Sequence, residues 1–250
     1  MSPAHLRSLL AIETSTPVTR VAVVDVDSGR CLAAAEAAAE RHSSNVLRLC
    51  SDVVARAGAN IGALAAIACG AGPGSFTGLR VGLAVAKGLA MPASVPLVLV
   101  SSLASLAWDM RAARAPGEAL LPCIDAGKGQ IYAALFAPDE RDAGGGDLMA
   151  AGEVTPVGAP WALVPEALVA ALPAQGRIAF AGPGALRYRA ALEAGLGARG
   201  RFVDVAGPTA QALAALALPR VRRGDYDDLA TAVPAYGRAP DITRPKPRAN

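Results

Sequence analysis

Apolar and polar positions follow one another in short blocks from the start of the chain. An apolar run over 9–13, a polar turn over 14–19 containing Pro17, and a valine-rich run over 20–25 predict a strand, turn, strand hairpin. Residues 31–39 continue it as a third strand by position, although their alanines suit a helix equally well. Ser43 or Ser44 can cap a helix running to about Ala57, which Gly58 is placed to end. A buried strand over 64–69 leads into Gly72-Pro73-Gly74 and a helix over 75–90. A strand over 97–100 follows, and Ser101 and Ser102 cap the next helix. The predicted order is three strands, helix, strand, helix, strand.

The second half repeats this order. Residues 119–125, 126–129 and 130–136 again read as strand, turn, strand, with Asp125 in the place that Glu13 holds in the first hairpin. Residues 177–181 run into Gly182-Pro183-Gly184 and a helix, as 65–69 run into Gly72-Pro73-Gly74. Two such coincidences in the same order predict a duplicated unit. The glycine-rich, charged stretch 139–146 reads as an exposed loop.

The two predicted helices of the first half carry more apolar surface than one buried face needs. At about 100° per residue, Gly78, Gly82, Val85 and Leu89 share one side of the 75–90 helix. Arg80 and Lys87 lie opposite, flanked by Leu83 and Ala84. In the preceding helix Asn45, Arg48, Asp52 and Arg56 make a narrow polar strip. With Leu47, Cys50 and Val54 toward the core, Val46, Leu49 and Val53 are left at its edge. Such a surplus suits a protein interface; burial beneath the other half of the same chain is the competing reading.

Composition narrows the class. The chain has 250 residues, 53% hydrophobic and 18% charged, the balance of a globular protein with room for two lobes. The most apolar run, 81–100, is broken by Lys87, Pro92 and Pro96, so no membrane span is expected. The first eight residues lack a signal-peptide pattern, which makes the cytoplasm the expected location. Cys31, Cys50, Cys69 and Cys123 form no C-x-x-C pair and read as free thiols. The net charge is +3, with basic residues gathered only at 220–223 and in the Arg-Pro-Lys-Pro-Arg tail at 244–248. That tail reads as a disordered tail or as a nucleic-acid patch.

Candidate chemistry is sparse. A strand ending in glycines and turning into a helix aims backbone amides outward, so Gly74 and Ser75 could receive a phosphate. Alternatively, the glycines permit a tight turn and Ser75 caps the helix. The spacing matches neither G-x-x-x-x-G-K-[ST] nor G-x-G-x-x-G. Glu13 and Asp125 could each hold hydrated magnesium near phosphates, with Thr14, Ser15 and Thr16 beside the first, or could simply belong to polar turns. His5 and His42 are the only histidines, and there is no G-x-S-x-G elbow. Neither a metal pair nor a hydrolytic triad can be assembled, and no catalytic residue is expected.

The assembled motifs resemble the TsaB (YeaZ) family, whose members serve the synthesis of threonylcarbamoyladenosine in bacterial tRNA. The likeness rests on Leu10-Ala-Ile-Glu-Thr-Ser-Thr16, Gly72-Pro-Gly-Ser-Phe-Thr-Gly-Leu-Arg-Val-Gly82 with Lys87-Gly-Leu-Ala90, Val100-Ser-Ser-Leu103, Ile124-Asp-Ala with Ile131-Tyr132, and Pro234-Ala-Tyr-Gly-Arg238. It runs from about Leu9 to Arg238, and the glycine motif is its most specific part. The resemblance implies an α/β, duplicated actin-like ATPase fold of the sugar kinase, Hsp70 and actin type. It places one lobe at 1–103, carrying the partner-binding helices, and a second at 104–250. It further implies a non-catalytic subunit that binds a catalytic TsaD-like protein, alongside a TsaE-like ATPase, with tRNA engaged through the complex and a homodimer formed in isolation. On that reading Val46, Leu49, Val53, Arg80, Leu83, Ala84 and Lys87 meet the partner. ATP and magnesium are used by the complex and not held tightly by this chain. Family members commonly carry Asp where this chain has Glu13, and the longer side chain would crowd a bound magnesium or phosphate. The competing enzyme reading is a small ATP-dependent kinase or ATPase of the same fold, with Glu13, Thr14, Ser15, Gly74, Ser75 and Asp125 around the nucleotide. A peptidase lacks the metal and nucleophile it would need.

Overall fold

The computed structural model describes residues 7–38, 43–137 and 156–235. Its first sheet has the order β3-β2-β1-β4-β5, built from β1 (Ser8–Glu13), β2 (Val18–Asp25), β3 (Cys31–Ala38), β4 (Ala66–Gly72) and β5 (Leu97–Ser101). Helix α1 (Ser43–Arg56) joins β3 to β4, α2 (Phe76–Ala93) joins β4 to β5, and α3 (Ser102–Met110) follows β5. The second sheet contains β6 (Glu118–Gly127), β7 (Gln130–Ala133), β8 (Trp161–Leu163), β9 (Arg177–Ala181) and β10 (Gly200–Phe202) in the order β8-β7-β6-β9-β10. Its helices are α4 (Pro165–Ala171), α5 (Pro183–Arg187), α6 (Arg189–Leu196) and α7 (Ala210–Arg223).

Taken in chain order, the two sheets are the same object. In each, the first three strands pair antiparallel and the fourth and fifth add in parallel on the other side of the first. The helices fall at matching points. This is the duplicated, two-lobed actin-like ATPase fold. The alanines of β3 give a strand because β2 supplies an antiparallel ladder from Val18 to Val24, and that pairing outweighs helix propensity.

Both faces of each sheet are covered, which explains why β1 is buried along its whole length. Leu10 and Ile12 point under α1 and α2, whereas Leu9 and Ala11 point toward the other lobe. In β6, Leu121 and Cys123 face the outer helices of the second lobe, and Leu120 and Ile124 face inward. Helices α3 and α7 lie between the sheets. α3 packs on β6 as well as on β4 and β5, while α7, which follows the second sheet in the chain, packs on the first. This middle layer is rich in alanine: Ala11, Ala68, Ala179 and Ala181 from the strands meet Ala107 and Ala214 from the helices.

After α7 the chain returns along the first lobe. Gly224, in the left-handed region, ends the helix, and Asp227 then bridges antiparallel to Leu97. Its backbone N donates to Leu97 O at 2.9 Å, and its carboxylate accepts from Leu99 N at 2.7 Å. Ala235 N donates to Ala71 O at 2.8 Å. The open edge of β5 is thereby covered, as an exposed strand edge must be to avoid pairing with another chain.

Candidate functional site

Glu13 closes β1 with its side chain fully buried. Its carboxylate accepts from the Ser15 backbone N at 2.7 Å and from Ser102 Oγ, on α3, at 2.9 Å. Room for it comes from Gly70 on the neighbouring strand, where a Cβ would lie 2.6 Å from Glu13 Oε2. Burial raises the Glu13 pKa above the ordinary carboxylate value, only partly opposed by the hydrogen bonds from Ser15 and Ser102. The side chain is thus turned into the interior and ties the hairpin to α3.

The glycine motif presses α2 onto that hairpin. Ser75 N donates to Ser15 O at 2.8 Å, and Ser75 Oγ accepts from Gly78 N at 3.2 Å as the N-cap of α2. A Cβ on Gly74 would sit 2.6 Å from the Ser15 Cβ; one on Gly78 would meet the Thr14 carbonyl oxygen, and one on Gly82 the Thr14 Oγ1. Spaced four apart, these glycines form a groove in the helix surface that receives the backbone of residues 14 and 15. Thr14 Oγ1 is buried without a hydrogen-bond partner, covered by the helix. The residues at this hairpin therefore do not fit a magnesium-bound phosphate: the carboxylate faces inward and the hydroxyl-bearing turn lies under α2.

The matching tip of the second lobe is built differently. Asp125 is half-buried, accepts from Gly127 N at 3.0 Å, and pairs with the exposed Arg187 at 2.8 Å. Glu13 and Asp125 occupy equivalent places in the two hairpins, as the sequence predicts, but are not drawn into one cluster by any hydrogen bond. Between the lobes, Arg20 Nη1 donates to Pro208 O at 3.3 Å, and a Cβ on Gly207 would lie 3.8 Å from both Thr16 and Pro183. The first hairpin thus meets the 207–208 segment, which also lies against Pro183 at the start of α5.

The outer helices correct the assignment of faces. Val46, Val53 and Leu83 are buried in this chain's own core, Leu49 is partly buried, and Leu47 is 43% exposed. The reason is that α1 packs on α2 as well as on the sheet, which rotates and widens its buried arc. On α2, Thr77, Arg80, Ala84, Gly88 and Met91 form the outward stripe. Phe76, 50% exposed, lies beneath the Arg80 guanidinium at 5.2 Å. Lys87 is half-buried and donates to Ala230 O at 3.4 Å, on the returning C-terminal segment.

Among the described residues there is no group of three or more histidine, cysteine or acidic side chains that could hold a metal ion, and no helix long and apolar enough to cross a membrane. Both histidines, the 139–146 loop, the 244–248 tail and Tyr236 to Arg238 of the last motif lie outside the described residues.

A family model described as TsaD, tRNA N6-adenosine threonylcarbamoyltransferase, matches residues 34–232. YeaZ from Pseudomonas aeruginosa superposes with a TM-score of 0.73 at 29% identity, over 92% of this chain and 99% of its own. The protein named tRNA threonylcarbamoyladenosine biosynthesis protein TsaB in Escherichia coli K12 is 35% identical over 136 residues. The chain belongs to the TsaB (YeaZ) family. The TsaB of Haemophilus influenzae is similar to it in turn, at 34% identity over 128 residues. Those matches take in 53% and 50% of this chain, and they span about half the length of the two TsaB relatives, 56% and 52%. For a TsaB-family chain, the glycine motif acquires a plain structural reading: it lets α2 lie on the first hairpin and leaves the helix's other side outward.

Proposed function

We propose that this chain is a non-catalytic subunit of the machinery that makes threonylcarbamoyladenosine in tRNA. In this reading it binds and stabilises a TsaD-like catalytic subunit, with a TsaE-like ATPase as a further member. The observation that carries the reading is the outer stripe of α2, which with Phe76 at its start and Leu47 on the adjoining α1 exposes three large apolar side chains, on a protein whose family relatives are named for that biosynthesis. A second copy of this chain can use the same face when the partner is absent. Threonylcarbamoyl transfer to adenosine beside the anticodon then takes place on the partner, and this chain binds no nucleotide tightly. The kinase or ATPase alternative is disfavoured by the inward Glu13 and by the covering of Thr14 and Ser15 by α2.

The substitution Ala84→Glu tests the interface. Ala84 is exposed, so the variant keeps its folding stability, while desolvating the new carboxylate in a complex costs a few kcal/mol, about 2 or more. Partner affinity, measured by co-elution and titration calorimetry, should fall at least ~30-fold, the equivalent of that energy. Unchanged affinity would remove α2 from the interface. Leu83→Glu, by contrast, strikes the core and reports only on folding.

A further inference from the structure

The second lobe gathers arginine at the end of its sheet away from the hairpin tips. β6, β9 and β10 run parallel, with Glu118 paired to Arg177 and Ile178 to Gly200. Arg199 closes the turn that leads into β10, one residue before Gly200, and so stands at the same end of the sheet as Arg177, the first residue of β9. Strands lie about 4.8 Å apart, so Glu118 and Arg177 are direct neighbours, with the start of β10 one strand further on. Arg201 folds back from β10, its Nε 2.9 Å from Glu118 Oε1 and its Nη2 2.7 Å from Ala113 O. Arg177 Nη2 donates to Pro116 O at 2.8 Å. The loop 111–117, which carries Arg111 and Arg114, is thus held between Arg177 and Arg201.

The negative charges in this cluster are sunk below its surface. Glu118 is 2% exposed, and its hydrogen bonds with Arg201 hold its carboxyl below the ordinary value. Asp109 accepts from the backbone N and hydroxyl of Thr209 at 2.8 and 2.9 Å. Five arginines against two carboxylates leave +3, equal to the formal charge of the whole chain, so the remainder is neutral overall. Arg177 and Arg199 each give one amino group to a backbone carbonyl, Pro116 and Pro173. A guanidinium has five donors, so these tethers orient the fork without exhausting it.

We infer that this arginine end of the second lobe binds the phosphate backbone of RNA. Arg201 is committed to Glu118, and Arg111 lies over the Trp108 ring and donates to its carbonyl; Arg177 and Arg199 supply the planar forks that match phosphate. A protein partner would be met by exposed apolar anchors, and none of the exposed large hydrophobic residues lies on 111–118, 177 or 199–201. The choice of RNA among polyanions rests on the proposed role in tRNA modification; the cluster itself lies on the opposite lobe from α1 and α2.

Fluorescence anisotropy of labelled tRNA with the isolated full chain tests this. Wild type should bind with a strong salt dependence. The double variant Arg177→Gln, Arg199→Gln should bind about tenfold more weakly near 0.1 M salt, with the log–log salt slope smaller by roughly 1.5, two phosphate contacts' worth. The Arg177→Lys, Arg199→Lys variant should keep the wild-type salt slope and bind within about threefold of wild type, since both charges remain and only the forked geometry is lost. An equal change of charge remote from the cluster, Arg30→Gln on the first lobe with Arg223→Gln on α7, which packs on the first sheet, should leave both affinity and slope in place. No binding by wild type overturns the proposal. So does equal loss in the lysine variant or in the remote variant, or a loss confined to phosphatidylserine vesicles while tRNA binding stands. Co-elution with the catalytic partner is scored on the same proteins and should be unaffected, so failure of one readout leaves the other intact.

Discussion

At the tip of the first hairpin Glu13 is sealed between Ser15, Ser102 and Gly70, whereas at the matching tip of the second lobe Asp125 lies half-exposed beside Arg187. The helix that leaves the glycine turn makes the difference. In the first lobe it is one helix of 18 residues, α2, grooved by Gly78 and Gly82 and preceded by Gly74, so that it lies along the hairpin. In the second it is α5, five residues long, broken from α6 at Tyr188. A duplicated unit has kept the acid in both copies, and the neighbouring helix decides whether that acid is a buried tie or a surface ion.

The largest effect is expected from Gly78→Ala, which drives a Cβ into the Thr14 carbonyl, a backbone atom with little freedom to retreat. A loss of about 3 kcal/mol or more in denaturant unfolding is expected. In the second lobe Gly184→Ala, at the position equivalent to Gly74 and with a Cβ that would lie 2.8 Å from the Ile124 carbonyl carbon, should cost less; equal losses would end the contrast between the lobes.

A smaller effect is expected for Glu13→Gln, and it depends on pH. The Glu13 pKa is raised in the folded state, so folding favours the protonated form. The wild type is unpenalised below the unfolded value of 4.5 and loses stability as pH climbs through the raised folded pKa. The glutamine variant lacks this loss, so its stability should gain on the wild type between acid and neutral pH. Parallel stability curves for the two proteins would show that burial does not govern this carboxyl. The smallest change is expected from Asp125→Asn: breaking an ion pair with the exposed Arg187 should shift stability by less than about 1 kcal/mol. A larger shift would mean that the second tip is as structurally committed as the first.

Much of the architecture was legible from periodicity and punctuation. The hairpin at 9–25, the cap at Ser75, the break at Gly58 and the equivalence of Glu13 with Asp125 all come from local chemistry that tertiary packing leaves in place. The strands β8 and β10, three residues each, and the seven-residue α4 are too short to establish a period. The orientation of α1 was misread because helical periodicity reveals how wide an apolar arc is, but not which neighbours share it. With α2 as a second neighbour, Val46 and Val53 turn inward and Leu47 outward. The inward turn of Glu13 was equally hidden, since it depends on Ser102, 89 residues away, and on the missing Cβ of Gly70. The arginine cluster is invisible to a linear reading for the same reason: Arg177 and Arg201 come together around Glu118 only through strand order.

The alanine-rich layer between the sheets also sets how the molecule transmits position. Alanine has no side-chain rotamer to change, and a close-packed layer of methyl groups has no slack in which a neighbouring element can slide. Such packing predicts that the two lobes resist sliding on one another, like the jaws of a calliper with its screw turned down. On that account a partner bound to α2 on one jaw and a phosphate backbone bound to the arginines of the other would sit at one separation, set by the layer between them.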